Sequence, residues 1–254
     1  MEVAIYRLAR HSAYLASFIL AIPSANADDA PVSQQAEHEI HQVGSQEFAV
    51  DWLFDEAFDS NDWSTRWTVE SQGPSVFVEQ GELSIRREDS PKDQAGVTVW
   101  FNQDLPQNVI IIVDASTEPG DHACNLNFFV HAKELGNKPL EYKRTGAYKS
   151  YHEITNYLFT FTGGFMSGWT RARINPGFKL ISEDESVYAE PGSSYELTIV
   201  CDRGDLSFYI DGELKHHFQE EALPGGRFGL RTWFSDVNYD RIRIGALANE
   251  KERL

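Results

Sequence analysis

Between Tyr142 and Phe178 the chain sets phenols, an imidazole, guanidiniums and an amide among aromatic residues: YKRTGAYKSYHEITNYLFTFTGGFMSGWTRARINPGF. Phenol and imidazole groups exchange protons, and a planar guanidinium grips carboxylate or sulfate through paired N–H donors. Flat rings stack on the apolar faces of sugars. In Trp169-Thr170-Arg171-Ala172-Arg173-Ile174-Asn175 the side chains alternate. A strand there turns Trp169, Arg171, Arg173 and Asn175 to one face and Thr170, Ala172 and Ile174 to the other.

Two further runs follow the same pattern. Asn125, Asn127, Phe129 and His131 alternate with Leu126, Phe128, Val130 and Ala132, and Arg231 and Trp233 alternate with Leu230, Thr232 and Phe234. The run from Tyr157 to Thr162 offers Tyr157, Phe159 and Phe161 on one side. If these strands share a sheet, one surface gathers Asn125, Asn127, His131, Tyr157, Trp169, Arg171, Arg173, Asn175, Arg231 and Trp233. Outward faces of antiparallel sheets are ordinarily polar, but Lys and Glu dominate a merely solvated face. Their near absence here favours a ligand groove. For His131 alone the plainer reading is a hydrogen-bonded strand residue. The segment Arg144 to His152 then forms a loop over this face, bringing Tyr148, Tyr151 and His152 as proton-exchanging groups that need no metal. A loop Tyr also serves simply to cover apolar surface.

These residues need a scaffold, and the chain supplies short strands at regular intervals. Leu53 to Phe58, Trp67 to Glu70, a hairpin from Ser75 to Ile85 turning at Gln80-Gly81, Gly96 to Phe101, Val109 to Ala115, Tyr195 to Cys201, Leu206 to Ile210 and Arg241 to Ile244 join the runs above. Gly-, Pro-, Asp- and Asn-rich turns separate them, and no long amphipathic helix is evident. The pattern indicates an all-β jelly-roll sandwich of two antiparallel sheets over residues 50–247.

Arg7 and Arg10 precede a short apolar run, Ala13 to Ile22, and Ala25-Asn26-Ala27 then supplies an A-x-A cleavage site, the form of a secretory signal peptide over residues 1–27. The run is too short to span a membrane, so the mature protein is expected in the periplasm or outside the cell. Residues 28–49 are polar and read as a linker or N-terminal arm, and 248–254 as a tail. The formal charge is −17 on 254 residues, and removing the leader leaves about −18. A nucleic-acid partner is excluded on that balance, since phosphate binding needs a basic footprint. A few Arg in one cleft still suit a smaller anion. Cys124 and Cys201 are two thiols in strand-like runs, open to a single bridge or to burial as free thiols.

The sequence resembles the YesU-like family of concanavalin A-like domains over most of residues 50–246. The resemblance is carried by Asn125-Leu126-Asn127-Phe128-Phe129, Arg144-Thr145-Gly146, Tyr151-His152-Glu153-Ile154-Thr155-Asn156-Tyr157, Arg171-Ala172-Arg173-Ile174-Asn175-Pro176-Gly177-Phe178, Asp211-Gly212 and Gly229-Leu230-Arg231-Thr232-Trp233. More loosely, Tyr142 to Tyr148 is similar to the Tyr-x-Lys-Ala-Gly-x-Tyr run of alginate-lyase-like jelly rolls, with Arg144-Thr145 standing for Lys-Ala. Only Tyr148 is carried over from it. The resemblance implies a ligand groove on a concave sheet; jelly rolls of this kind often hold a structural calcium, for which Asp59 or Asp240 could serve, an ordinary surface Asp being the plainer reading. Laminarinase-like glycosidases of this shape carry Glu-x-Asp-x-x-Glu, a run this chain lacks, which disfavours hydrolysis by paired carboxylates. The leading expectation is β-elimination on an acidic glycan, as a polysaccharide lyase or oligosaccharide dehydratase that requires no cofactor. Tyr148, Tyr151, His152, His131, Tyr157 and Arg171 are the catalytic candidates, and Asn125, Asn127, Trp169, Arg173, Asn175, Arg231 and Trp233 the binding ones. The alternatives are a lectin-like binding module and a hydrolase of another mechanism.

Overall fold

The structure is a computed structural model that describes residues 38–248 apart from Asn61, Asp121 and Met166. The expected signal peptide over residues 1–27, residues 28–37 of the expected arm and residues 249–254 of the expected tail lie outside the described residues. Alternating sequence becomes sixteen strands: β1 (Glu39–Val43), β2 (Gln46–Glu56), β3 (Trp67–Ser71), β4 (Ser75–Glu79), β5 (Glu82–Arg86), β6 (Gly96–Leu105), β7 (Val109–Thr117), β8 (Ala123–Lys133), β9 (Thr155–Gly164), β10 (Trp169–Asn175), β11 (Lys179–Asp184), β12 (Ser194–Asp202), β13 (Asp205–Ile210), β14 (Glu213–Gln219), β15 (Gly226–Trp233) and β16 (Val237–Leu247). Among the described residues the helical pieces are one α-turn, α1 (Trp63–Arg66), and a 3₁₀ turn at Tyr148–Tyr151. The β4–β5 hairpin turns at Gln80-Gly81, where both residues have positive φ (55° and 81°), as a tight two-residue turn requires.

The strands form two antiparallel sheets, a jelly-roll sandwich. The seven-stranded sheet runs β11-β10-β9-β8-β15-β6-β3; the nine-stranded one runs β1-β2-β16-β7-β12-β13-β14, with β5 beside β16 and β4 beside β5. The core lies between them, where Phe128, Phe159 and Leu230 meet Ile111, Phe208 and Ile244. Cys124 and Cys201 are both buried free thiols. Among the described residues no helix is long and apolar enough to cross a membrane.

The expected arm over residues 28–49 is strand from Glu39 onward. Val43, Phe48 and Val50 of the β1–β2 hairpin join Ile110, Ile112, Val200 and Tyr209 in a second apolar cluster. That cluster lies on the side of the nine-stranded sheet away from the core, since Ile110 and Ile112 alternate with core residues Ile111 and Val113. Polar composition concealed these strands, because their apolar residues are few and are buried by each other.

A third cluster supports the loop before β9. Trp100, Phe129, Ala132, Leu140, Tyr151, Ile154 and Leu158 pack on the seven-stranded sheet's outer face. Glu70, at the edge of that sheet, is buried and accepts hydrogen bonds from Trp100 Nε1 (2.8 Å), Tyr151 Oη (3.0 Å) and the Arg144 backbone N–H (2.6 Å). Three donors to one carboxylate make its burial tolerable and tie the loop down. Arg144 Nη2 also donates to both carboxylate oxygens of Glu134, each at 2.8 Å. Gly146 then presses backbone to backbone on Gly96. A Cβ on Gly146 would stand 2.2 Å from the Gly96 carbonyl oxygen, so no other residue fits without moving the strand.

Candidate recess on the seven-stranded sheet

Strand register writes the site as rows across the sheet. Trp169 pairs with Thr162, and Thr162 with Asn125. In the next row Arg171 pairs with Thr160, Thr160 with Asn127, and Asn127 with Arg231. Three strand spacings separate Arg171 from Arg231, roughly 14 Å between backbones, which leaves room for a sugar ring between two guanidiniums. Tyr148 and Phe178 close one side. The result is a recess of about 250 Å³ lined by Asn125, Asn127, Tyr148, Thr160, Thr162, Trp169, Arg171, Arg173, Phe178, Arg231 and Trp233. None of these lining residues is acidic.

The three guanidiniums are held differently. Arg171 lies on the Trp169 ring at 4.0 Å and is paired through Nε with Glu183 of β11. Arg173 lies 4.3 Å from the Phe178 ring centre and Arg231 4.2 Å from that of Tyr148. Arg173 is 9 % exposed and Arg231 2 %. Neither has an acidic partner among the described residues, and the Nε of each is buried without a hydrogen-bond partner there. Burial pulls both below the ordinary Arg range, yet a guanidinium keeps its proton. Two buried, unpaired positive charges beside an open recess favour a bound anion.

Tyr148 is the proton-exchanging group that reaches the recess. Burial raises its phenol above the ordinary value, and Arg231 and then Arg173 oppose that. His152 stands behind it, stacked on Phe178 at 3.8 Å and edge-on to Tyr148 at 4.6 Å. Its imidazole falls to about 4, chiefly through burial and then through Arg231, Arg173 and Lys149, so it is neutral at physiological pH. The geometry gives it a positioning role against Tyr148 and Phe178.

Four expected site residues lie elsewhere. Tyr151 is fully buried, its hydroxyl donating to Glu70 and accepting from the Gly146 N–H (3.2 Å), so it anchors the loop. His131 sits at a bulge between Val130 and Lys133 with φ 57°, which reverses the alternation. It is buried beside the Pro106 carbonyl (3.0 Å) and held at about 4 by that burial. Tyr157 belongs to the core with Phe159 and Phe161, its hydroxyl donating to the Glu221 carbonyl (2.7 Å) and accepting from the Leu223 N–H (3.0 Å). Asn175 is buried, donating to Asn156 Oδ1 (3.0 Å) and accepting from the Phe178 N–H (2.9 Å). It shapes the turn that delivers Phe178.

Thr160, Thr162 and Phe178 were not foreseen. The alternation that places Phe159 and Phe161 in the core already turned the two Thr outward; Phe178 follows a Pro-Gly turn and carries no such signal. For calcium, the described residues contain no group of three His, Cys, Asp or Glu side chains able to hold a metal ion. Asp59 is exposed, and Asp240 lines a different recess on the nine-stranded sheet.

This architecture, a sandwich of two antiparallel sheets, is the galectin-like or concanavalin-like jelly roll. The chain belongs to the family described as a domain of unknown function (DUF6250), whose model matches residues 92–242. Among solved structures it is similar to a Bacillus subtilis protein of unknown function with a galectin-like fold, 19 % identical with a TM-score of 0.68 over 78 % of this chain and 97 % of that one. The catalytic domain of an endo-1,3-β-glucanase (laminarinase) from Thermotoga petrophila RKU-1 is 16 % identical, with a TM-score of 0.54 over 80 % of this chain and all of that one. The carbohydrate recognition domain of Emp46p, in metal-free form, is 14 % identical, with a TM-score of 0.54 over 76 % and 94 %. No curated protein matches. At these identities the likeness establishes the fold.

Proposed function

We propose that this is a carbohydrate-active protein, exported by its signal peptide to the periplasm or beyond, whose recess binds an acidic sugar of an oligo- or polysaccharide and cleaves or dehydrates it by β-elimination. The observation that carries the reading is the pair of buried guanidiniums, Arg173 and Arg231, without acidic partners beside Tyr148. Two fold neighbours, a carbohydrate recognition domain and a laminarinase catalytic domain, support a carbohydrate ligand, while the acidic character of the sugar and the elimination rest on the guanidiniums and on the resemblance to jelly-roll lyases. In this mechanism Arg231 and Arg173 hold the uronate carboxylate and stabilise the enolate-like charge that develops on it. Tyr148 as phenolate takes the proton from the carbon α to that carboxylate. The bond to the leaving oxygen then breaks, its electrons remain on that oxygen, and the carbon–carbon double bond forms. The phenol returns its proton to the leaving oxygen, so the protein ends as it began. Arg171, already paired with Glu183, joins Asn125, Asn127, Thr160 and Thr162 as donors to hydroxyl or sulfate groups, with Trp169 and Trp233 as ring faces.

A lectin-like module is the second reading. It is favoured by the raised Tyr148 phenol, which is largely protonated at neutral pH in the free protein. Incubation of residues 28–254 with uronate-containing and sulfated glycans separates the two readings. The ultraviolet absorbance of an unsaturated uronate, abolished by Tyr148→Phe, establishes elimination. Saturable binding with no new product by mass spectrometry leaves the lectin.

A further inference from the structure

Beyond the recess, at the end of the sheet where β9 and β15 finish, lies an aromatic step. Trp233 lines the recess and brings its ring within 5.9 Å of Phe234, which leaves the strand with φ 50°. A bulky residue at positive φ is an outlier, and here it ends the alternation that would have sent the two rings to opposite faces. Phe165, just past β9, meets Phe234 edge-on at 5.7 Å and is 43 % exposed. Two cations attend these rings. Arg87 Cζ lies 4.7 Å from the Phe234 centre, and Lys92 Nζ lies 4.6 Å from that of Phe165 and 5.0 Å from that of Phe234. Arg87 is paired with Asp236. Lys92 is exposed and has no acidic partner among the described residues. Its backbone carbonyl accepts from Trp233 Nε1 at 2.8 Å, which fixes the loop to the recess wall.

We infer that this step is a second saccharide subsite. It takes the sugar next to the one in the recess, which lies against Phe165, the exposed ring of the step, as Lys92 turns from the two rings to meet that sugar's carboxylate or sulfate. The proposal rests on the acidic-glycan reading of the recess and extends it to a ligand of at least two charged sugars. Continuity through Trp233 and the match between an exposed cation held on rings, with no acidic partner among the described residues, and a polyanionic chain select this occupant.

Calorimetric titration with di-, tetra- and hexasaccharides of pectate, alginate and chondroitin sulfate tests it. For wild type, affinity rises roughly tenfold with length beyond the fragment that fills the recess, about one good stacking or ionic contact. Phe165→Ala and Lys92→Glu, both at exposed positions, each lose that rise and keep the affinity for the shortest fragment. A rise that persists in both variants, or no rise in wild type, overturns the subsite alone. No binding at any length overturns the subsite and the recess reading together.

Discussion

The outer faces of the two sheets carry recesses of similar volume, about 250 Å³ on the seven-stranded sheet and about 320 Å³ on the nine-stranded one, made by the same strand alternation with opposite chemistry. One is lined by three Arg, two Trp, a Tyr and a Phe. The other is lined by Glu82, Asp114, Glu196, Asp211 and Asp240, with Tyr195 its single aromatic residue. A net charge of −17 therefore describes neither face. Glu196, Asp211 and Asp240 are exposed where solvent screens them, whereas Arg173 and Arg231 are buried among rings where screening is weak. Rings as well as charge separate a surface suited to a sugar from a solvated acidic patch.

Breaking the recess should show this contrast most strongly in turnover. Tyr148→Phe is expected to reduce elimination by roughly a hundred- to ten-thousandfold while calorimetric affinity stays within about twofold, the separation a proton-transfer residue produces. Arg231→Ala should weaken binding of an acidic oligosaccharide on the order of a hundredfold, the loss of a charge-assisted contact. Asp114→Asn on the opposite face should leave that affinity unchanged. Glu70→Ala strands the Trp100, Tyr151 and Arg144 donors and should cost about 2–3 kcal/mol in denaturant unfolding, loosening the loop that carries Tyr148.

Acid should act with opposite sign on the buried imidazoles and on the acidic face. His152 and His131 fold with imidazoles at about 4, below the unfolded value. Their contribution is complete above the unfolded pKa, near pH 6.5, and is lost as pH falls through 4. The midpoint of urea unfolding should fall over that window, and fall less in His152→Phe. Asp114 is raised by burial and then by Glu196 and Asp240, so protonation relieves repulsion there. Asp114→Asn should stabilise by a few tenths of a kcal/mol at neutral pH, and the gain should vanish in acid.

Alternation made much of this legible before any coordinates. Trp169, Arg171 and Arg173 on β10, Arg231 and Trp233 on β15, and Asn125 and Asn127 on β8 all reach the recess as their spacing required. The reading failed where something interrupts the period. The bulge at His131 reverses which residues face outward, and sequence alone does not announce a bulge. Tyr157 was legible and misjudged, because its alternation with Phe159 and Phe161 already placed it in the core. Tyr151 lies in a 3₁₀ turn whose inward direction depends on Glu70, far away in the chain. β11, an edge strand, gave no clear periodic signal, so Glu183 opposite Arg171 went unseen.

The central claim is that the recess recognises negative charge on a sugar through Arg173 and Arg231. The direct measurement is a calorimetric comparison of one uronate oligosaccharide with its carboxyl-reduced counterpart, identical but for charge, on wild type and on Arg173→Ala. The account predicts that wild type binds the uronate form far more tightly and that Arg173→Ala narrows the gap. Equal affinity of wild type for both forms would contradict it.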